Sequence, residues 1–470
     1  MTFHRRRFLS IAACAAALAG QKAAALQQQA DVRIGSQVRA TMPPNFTGLS
    51  YESPQLYNPN YFSSHNTELV AAFKRLSRNG VLRFGGNLSD VARWKSEAGD
   101  FSTPKQTAAI EHGKTNWEWK LTDSTVRDHR DGAITPLSLA RLRGFLDATN
   151  WKAIYGLNFG SGSPERARDE TAHVACALGD RLIAFQVGNE AEFYGDNPFY
   201  REKSYDFEEY YAGYRGFVAA VRQAVPQAPF AGPDTAYKMD WVEAFAKREG
   251  KDAIMLTSHF YAMGPAKDPA MNAERLLSGK SSLTEQIAEA HKATADSGGV
   301  PFRLTETNSC YGGGKPDVSD AFASALWGAD MMLETAQAGY AGVNLHGGGD
   351  GYYTPIAVTV GGGAELRPLA YGMRLAGIFA GADLLECESV TDANVKAYAA
   401  RHGGRKLLAL INKGPETVSV SFNWNRPTRM IRMTAPALDS KSGVSLRPAA
   451  LRAGRADSIS GYSATMLIWD

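Results

Sequence analysis

Short apolar runs recur between residues 46 and 346, and most are followed by an amphipathic or loop segment. The runs are almost continuously hydrophobic, which is typical of parallel strands buried on both faces. Eight runs indicate strands: Phe46–Tyr51, Val81–Phe84, Ala153–Phe159, Ile183–Val187, Pro229–Gly232, Ile254–Tyr261, Phe302–Thr305 and Gly342–His346. Four amphipathic stretches between them indicate helices: Thr67–Asn79, Leu137–Thr149, Phe207–Ala224 and Ala321–Ala338. This alternation predicts an α/β fold, a parallel sheet closed as a (β/α)8 TIM barrel.

From about Asp383 the pattern changes to short alternating or β-branched segments separated by Gly, Pro and Asn. The segments are Val395–Ala400, Lys406–Ile411, Thr417–Phe422, Met430–Thr434 and Ala464–Trp469. They predict an accessory antiparallel β-sandwich domain over residues 383–470, which supports the barrel. Asp31–Thr41 also has the pattern of a strand. We therefore expect residues 26–44 to join the β-domain and residues 45–382 to form the barrel.

The first 25 residues have the pattern of a signal peptide. A basic start is followed by the apolar run Ile11 to Gly20 and by Ala23-Ala24-Ala25, which resembles a cleavage site. Arg5 and Arg6 resemble the twin-arginine export signal. Residues 1–25 are therefore predicted to be a signal peptide that sends the protein to the periplasm or the extracellular space. A lipoprotein box ending at Cys14 is a weaker alternative, because its apolar stretch is too short.

Composition and charge narrow the class of protein. The chain has 470 residues, 44% of them hydrophobic, which excludes a disordered or collagenous protein. Its formal charge is +3, but without the four basic residues of the first 25 the net charge is −1. This balance argues against nucleic acid as a general partner. No segment after the signal has 18 uninterrupted apolar residues, so we expect no membrane span.

Three cysteines remain after the signal: Cys176, Cys310 and Cys387. Their number allows at most one disulfide, and their spacing indicates no zinc site. We expect no metal and no cofactor.

Two glutamates follow predicted strands at the end where a barrel keeps its active site. The fourth run ends in Asn189-Glu190, and the seventh leads directly into Glu306. Glycoside hydrolysis needs such a pair, one acid to protonate the leaving oxygen and one carboxylate to attack the anomeric carbon. We assign Glu190 as the acid/base, Glu306 as the nucleophile and Asn189 as a contact of the sugar 2-hydroxyl. The alternative is that both are solvated carboxylates at helix starts, which the helix dipole favours.

Other strand ends bring further polar residues to the same mouth. Arg83, in the second run, is either a structural ion-pair partner beneath the carboxylates or a contact of the ligand. His259 and His346 end the sixth and eighth runs, and three glycines after His346 favour it as a site residue. The long insertion Leu88–Thr135 carries Trp94, Trp117 and Trp119, which indicates either a wall of the cleft or a self-packed loop.

At these positions the sequence resembles glycoside hydrolase family 79, the β-glucuronidases and heparanases. The resemblance is carried by Leu82–Asn87, Val187–Glu190, Leu304–Gly314 and Leu345–Tyr353. It implies that Tyr261, Tyr311, the Gly312 backbone and Tyr353 recognise the carboxylate of a uronic acid. It further implies sugar contacts from Tyr237, Glu52 and His346, and places Asn87 at the same site.

Together these features favour a retaining glycosidase that releases β-linked glucuronic acid from a uronic-acid-containing carbohydrate. One alternative is internal cleavage of heparan sulfate, and another is a different sugar on the same type of barrel. A third is a carbohydrate-binding protein without activity. The sequence indicates no particular oligomeric state.

Overall fold

The computed structural model describes residues 28–101, 132–349, 351–358, 363–451 and 457–470. The predicted signal peptide and two tryptophans of the insertion, Trp117 and Trp119, lie outside the described residues. Trp94 is fully buried, and its indole nitrogen donates to Asp169 Oδ1 at 2.6 Å. Its side chain therefore packs against the barrel's helical layer.

Eight parallel strands close into a barrel in chain order, and the predicted (β/α)8 architecture is confirmed. The strands are β2 (Thr47–Glu52), β3 (Gly80–Gly85), β6 (Trp151–Leu157), β7 (Leu182–Val187), β8 (Phe230–Thr235), β9 (Ala253–Met263), β10 (Phe302–Cys310) and β11 (Gly342–His346). Each contains most of one predicted apolar run. Five of them are buried along their whole length, which explains the continuous hydrophobic pattern.

Helices cover the barrel, and polar residues cap several of them. Asn66, Thr135, Ser163 and Asp206 each accept a hydrogen bond from a backbone N–H of the first helical turn. The helices are α1 (Thr67–Leu76), α2 (Pro136–Thr149), α3 (Pro164–Leu178), α4 (Phe207–Ala224), α5 (Met239–Glu249), α6 (Ala273–Leu277), α7 (Leu283–Asp296), α8 (Phe322–Gln337) and α9 (Pro368–Ala376). Short 3-10 helices span Ser53–Tyr57, Asn87–Val91, Gly179–Arg181, Ala191–Asp196, Gly250–Asp252 and Gly377–Phe379.

The remaining large sheet has nine strands in the order β19-β18-β21-β16-β15-β14-β1-β17-β20. They are β1 (Gln29–Thr41), β14 (Asp383–Val390), β15 (Val395–His402), β16 (Arg405–Asn412), β17 (Val418–Phe422), β18 (Arg429–Thr434), β19 (Ser445–Ala449), β20 (Asp457–Ile459) and β21 (Ser463–Trp469). Two-stranded sheets are formed by β4 (Lys95–Ser96) with β5 (Gly99–Asp100) and by β12 (Ile356–Val358) with β13 (Ala364–Leu366).

The accessory β-domain is thus one continuous sheet, where two stacked sheets were expected. Strand β1 pairs antiparallel with β14 and parallel with β17, so the sheet is mixed. Val32 and Val418, from the neighbouring strands β1 and β17, share one buried cluster with Met430 and Trp469, from β18 and β21 near the other end of the strand order. The sheet therefore curls around its own core, which gives local alternation like that of a sandwich.

A buried ion pair joins the barrel to the β-domain. Lys413, which follows β16, lies 2.6 Å from Asp330 on α8, and the two side chains are 3% and 8% exposed. The Tyr398 hydroxyl donates to the same carboxylate at 2.7 Å. Since both charges are removed from water, their separation is costly.

A fully buried arginine closes the end of the barrel opposite the mouth. Arg303 donates to Asn344 Oδ1 at 2.7 Å and to the backbone oxygens of Ala341 and Phe46 at 3.0 and 3.2 Å. Burial lowers its pKa to about 9.

The three cysteines among the described residues are free: Cys176 is exposed, Cys387 is half-buried and Cys310 is buried. None of the helices in the described ranges is long and apolar enough to cross a membrane.

Candidate active site

Glu190 and Glu306 reach the mouth of the barrel through irregular backbone. Glu190 follows β7 in a left-handed conformation (φ 49°, ψ 47°), and its N–H donates to the carbonyl of Asp234 at 2.9 Å. In β10 the pairing with β9 shifts register between Leu304 and Glu306. Such a bulge re-aims the side chain that follows it. Both carboxylates therefore point to one place.

Oxygens of Glu190 and Glu306 and a ring nitrogen of His259 all lie within 4.8 Å of one another. The Glu190 and Glu306 side chains are 17% and 9% exposed. The two carboxylates are therefore partly buried side by side, close enough for one reacting atom to contact both, and we call the space between them the cavity.

Arg83 lies beneath this cavity and is fully buried. A Cβ at Gly85, two residues further along β3, would lie 2.1 Å from the guanidinium carbon, so this glycine makes room for the side chain. The guanidinium donates to Glu306 Oε2 (2.8 Å), Asp234 Oδ2 (2.5 Å), Asn189 Oδ1 (2.7 Å), Ser50 Oγ (3.0 Å) and Gln186 Oε1 (3.2 Å). One cation thus fixes two carboxylates and the asparagine.

Glu306 is held in its ionised form. Burial acts to raise its pKa, but the charges of His346, His259 and Arg83 outweigh burial and hold the pKa well below its usual range. The Tyr261 hydroxyl donates to Glu306 Oε1 at 2.7 Å and adds to this effect. An ionised carboxylate beside the cavity is what a nucleophile requires.

His259 connects Glu190 to a buried aspartate. Its Nδ1 lies 2.8 Å from Glu190 Oε1 and its Nε2 lies 3.3 Å from Asp234 Oδ1. Burial acts to lower the imidazole pKa, but the charges of Asp234 and Glu306 raise it to about 10. His259 is therefore a second buried cation at the site. The sequence analysis placed both histidines at the mouth and favoured His346 as the site residue.

Asp234 was missed by the sequence analysis. It follows Gly232, where the fifth run was predicted to end, and has a left-handed φ of 68°. Gln186 Nε2 donates to it at 2.7 Å, and Thr305 and Arg83 also donate to it. Despite complete burial, Arg83 and His259 hold its pKa below the usual range. An acidic residue after an apolar run, the signal that pointed to Glu190, was available here too.

Three tyrosines group around the Glu306 side of the cavity. The ring of Tyr261 lies 6.2 Å from that of Tyr311 and 6.4 Å from that of Tyr353. Tyr311 is 47% exposed and Tyr353 only 4%, so the group extends from the rim into the interior. Gly312 follows Tyr311 with φ +83°, a conformation that favours glycine. We name Tyr261, Tyr311 and Tyr353 the tyrosine cluster.

His346 lies beside the tyrosine cluster. Its ring is 5.8 Å from that of Tyr353, and its Nδ1 lies 3.1 Å from Ser50 Oγ and 3.5 Å from Glu306 Oε2. The side chain of Asn308 donates to the backbone oxygens of His346 at 2.7 Å and of Tyr353 at 3.1 Å. One amide thus holds the two segments together.

Asn189 and Glu52 hydrogen-bond to the short helix Asn87–Val91 and to the glycine that precedes it. Asn189 Oδ1 accepts from Arg83 and from the Gly86 N–H, and its Nδ2 donates to Asn87 Oδ1 at 3.0 Å. Glu52 Oε2 accepts from the Leu88 N–H at 2.8 Å, and Oε1 lies 3.8 Å from His346 Nε2. Asn189 and Glu52 are therefore strongly engaged with the protein, whereas Asn87 is exposed at the mouth.

Tyr237 contacts a different ring. It follows β8, is 67% exposed, and its ring centroid lies 5.5 Å from that of Phe193.

Glu192 is a further carboxyl group that the sequence analysis missed. Its Oε1 accepts from the Ala236 N–H at 2.6 Å. Burial, followed by the charge of Glu190, raises its pKa to about 8.

Among the described residues, Glu190, His259 and Glu306 have the spacing of a metal site. Two of these groups are already engaged with neighbouring side chains: His259 contacts Glu190 and Asp234, and Glu306 accepts from Arg83 and Tyr261. Such hydrogen-bonded carboxylates beside an imidazole suit acid–base chemistry.

Comparison with known proteins supplies a family. The sequence model described as Glycosyl hydrolase family 79, N-terminal domain, matches residues 62–332, more than half of the chain. A β-glucuronidase of Aspergillus niger is 25% identical in an alignment 336 positions long, which covers 66% of this chain and 57% of that protein. A heparanase of Rattus norvegicus is 22% identical in an alignment 335 positions long, which covers 64% of this chain and 61% of that protein. The chain thus matches less than two thirds of the length of these curated relatives.

Solved structures agree on the fold. A 4-O-α-L-rhamnosyl-β-D-glucuronidase from Fusarium oxysporum 12S superposes with a TM-score of 0.68 at 18% identity, covering 93% of this chain and 98% of that one. A family 51 arabinofuranosidase from Xanthomonas axonopodis pv. citri gives 0.67 at 16% identity, covering 94% and 100%. At this identity the likeness establishes the architecture, a barrel with an accessory β-domain.

Proposed function

The chain belongs to glycosyl hydrolase family 79, and from this premise we propose that it releases β-linked glucuronic acid from glycans or glycosides with retention of configuration. The observation that carries the proposal is the pair Glu190 and Glu306, with oxygens within 4.8 Å of each other above Arg83. Retaining glycosidases have carboxyl groups about 5–5.5 Å apart, whereas inverting enzymes need about 6.5–9.5 Å to admit a water. The spacing supports a covalent intermediate.

In the first step Glu306 attacks the anomeric carbon while Glu190 donates its proton to the glycosidic oxygen. The carbon–oxygen bond to the leaving group breaks, and an ester bond to Glu306 forms. In the second step Glu190, now a carboxylate, takes a proton from water, which displaces Glu306 from the sugar. The hydrogen bond from Tyr261 and the charge of Arg83 keep Glu306 ionised for each cycle.

The tyrosine cluster and the Gly312 backbone support recognition of a uronic acid. Phenol hydroxyls and a backbone N–H are donors suited to a carboxylate. Two of the similar proteins described above are glucuronidases by name, which adds to this support. Asn87, exposed at the mouth, is the next polar group available to the sugar.

The test is hydrolysis of 4-nitrophenyl β-glucuronide by the wild type and two variants. Glu306→Gln should abolish turnover, because an amide does not attack the anomeric carbon. Glu190→Gln should slow turnover about 10²–10⁴-fold, the usual contribution of a general acid or base. Proton NMR of the first product should show the β-anomer. An initial α-anomer, or retained turnover by Glu306→Gln, would refute the assignment.

Internal cleavage of heparan sulfate is the second candidate, and the match to rat heparanase favours it. Product size separates the two activities. Release of the monosaccharide from a glycan supports the glucuronidase, and large fragments from heparan sulfate support the endo-enzyme. Turnover of aryl xylosides or arabinosides above that of the glucuronide would favour a neutral sugar.

We also propose that the protein is exported through its twin-arginine-like start. Replacing Arg5 and Arg6 by Lys should retain the protein in the cytoplasm, as cell fractionation would detect. Equal export of the variant would contradict the proposal.

A further inference from the structure

Asp234 is connected to both catalytic glutamates through separate contacts. Its backbone carbonyl accepts the Glu190 N–H at 2.9 Å. One side-chain oxygen, Oδ2, accepts from Arg83 at 2.5 Å, and Arg83 in turn donates to Glu306 at 2.8 Å. The other oxygen, Oδ1, lies 3.3 Å from Nε2 of His259, whose Nδ1 lies 2.8 Å from Glu190. Since its side chain is only 1% exposed, Asp234 acts on the reaction through these neighbours.

The surroundings of the Asp234 side chain require an acceptor on every side. Besides Arg83, the side-chain nitrogen of Gln186 donates to it at 2.7 Å, and the Thr305 hydroxyl donates to the same oxygen. An ionised carboxylate offers acceptors alone, whereas a protonated acid or an amide would turn a donor toward one of these groups. Asp234 is therefore an anion in the folded protein.

The charges around the catalytic pair cancel only when Asp234 is counted. Both ring nitrogens of His259 face a carboxylate, so the ring is a cation like Arg83. Asp234 and the ionised Glu306 balance these two cations. The group is then neutral with the proton on Glu190, which is the state in which the first step begins. Without Asp234 the group would carry a net positive charge, which favours the loss of protons from its acids.

Further titratable groups around the pair leave this balance unchanged. They are Glu52 on β2, Glu192 after β7, Tyr261 on β9 and His346 on β11. His346 lies 3.8 Å from Glu52, so a carboxylate faces its charge. Burial and the charge of Glu190 raise the pKa of Glu192 to about 8, and burial raises the pKa of Tyr261 further above its usual value. These last two groups are therefore uncharged at pH 7.

We propose that Asp234 is a positioning residue that keeps the proton of the first step on Glu190. The proposal rests on the glycosidase activity proposed above and names the residue that balances the charges on which its general acid depends. An amide at position 234 keeps the shape and the backbone bond to Glu190 but removes the negative charge. His259 and Glu190 titrate as a coupled pair, and loss of that charge lowers both apparent pKa values, whichever group gives up its proton first.

The experiment measures the pH dependence of kcat/KM for phenyl β-glucuronide, whose phenolate must be protonated as it leaves. The basic limb of this profile reports loss of the proton from the general acid. In Asp234→Asn this limb should move down by about one to three pH units, the range that one neighbouring charge gives. Asp234→Glu keeps the charge and should keep the wild-type limb, even where kcat is lower. 2,4-Dinitrophenyl β-glucuronide needs no proton for departure, so its profile should not show the shift.

Asp330→Asn is the matched control, because Asp330 is also a buried carboxylate beside a cation, Lys413, but lies on α8 where the barrel meets the β-domain. It should leave the basic limb unmoved. An unmoved limb in Asp234→Asn, or an equal shift on both substrates, would overturn the role of Asp234 while leaving the glycosidase in place. If the wild type turns over neither glucuronide, the proposed function fails and the role of Asp234 fails with it.

Nitrogen-15 NMR of the histidine-labelled wild type tests the same charges if Asp234→Asn does not fold, as circular dichroism would show. The signals of His259 are assigned by their absence from the spectrum of His259→Gln. Because a carboxylate faces each ring nitrogen, both should still carry a proton at pH 8. A neutral His259 ring at that pH would overturn the proposal.

Discussion

Replacing Arg83 by Gln tests the central electrostatic reasoning of the site. The substitution removes a fully buried cation that lies 2.8 Å from Glu306 and 2.5 Å from Asp234. Removing one partner of a buried ion pair costs about 3–5 kcal/mol, because the remaining charge is left uncompensated. We therefore expect the free energy of unfolding at pH 7 to fall by about this amount. Urea denaturation followed by tryptophan fluorescence measures it.

The loss should depend on pH. In the wild type the pKa values of Glu306 and Asp234 lie below the usual carboxyl range. Such groups stabilise the fold above the unfolded pKa of about 4, and this stabilisation is lost as the pH falls through the folded value. Without Arg83 the two pKa values rise, so the carboxyls take up protons sooner. The difference in free energy between wild type and variant should be largest at pH 7 and smaller at pH 4.

Arg303→Gln is the matched control, because Arg303 is equally buried and binds Asn344 and backbone oxygens. Its loss should cost about 1–3 kcal/mol, the penalty for unsatisfied polar groups, equally at pH 4 and pH 7. The acid limb of kcat/KM should move up by about one pH unit or more in Arg83→Gln, since Glu306 loses a neighbouring cation. A loss of stability in Arg83→Gln that is the same at both pH values would refute the reasoning.

Three further predictions follow from other contacts. The pKa of His259 is raised to about 10, so its charge stabilises the fold fully below about pH 6.5, and this stabilisation is lost as the pH rises from there to about 10. The difference in unfolding free energy between wild type and His259→Gln, measured in urea, should therefore shrink over that interval. A difference that stays constant would contradict this prediction. Lys413→Met should lower the free energy of unfolding by about 3–5 kcal/mol, because it leaves the buried Asp330 unpaired. Adding Asp330→Leu should recover at least half of this loss. No loss in Lys413→Met would mean that the ion pair contributes nothing. Gly314→Ala should raise KM, because a Cβ there would lie 2.8 Å from the backbone nitrogen of Tyr353. Gly299→Ala is the control, since Gly299 also has a positive φ but no atom lies within 4 Å of the Cβ position; it should leave KM unchanged in the same assay.

The barrel was predictable because a strand buried on both faces is marked by its hydrophobic run alone. The same runs located the mouth, and with it Arg83 inside the second run and Glu190 and Glu306 after the fourth and seventh. What a run does not encode is where it bends. Glu306 is aimed by a bulge and Asp234 by a left-handed residue, and neither has a periodic pattern in the sequence.

The contacts within the site were less predictable than its members. The sequence analysis predicted Asn189 as a contact of the sugar, but nothing in it predicted that the side-chain oxygen also accepts from Arg83 and from the Gly86 N–H. Gln186 and Thr305 lie inside the strands, where alternation gives no reason to expect polar side chains. In the β-domain, local alternation predicted strands, but the pairing of β1 with β14 depends on residues hundreds of positions apart.

Strand β1, at the start of the described chain, belongs to the sheet of the last domain. The Thr41 hydroxyl donates a hydrogen bond to Asp383, 342 positions further along the chain, and β1 lies between β14 and β17 in the sheet. At a synthesis rate of about 5–20 residues per second, roughly 20–70 s pass between the synthesis of β1 and that of β14, its first partner strand. During that time its edges are open to other chains. Trimming the chain before residue 44 would therefore split the distal sheet, although that sheet lies at the opposite end of the sequence.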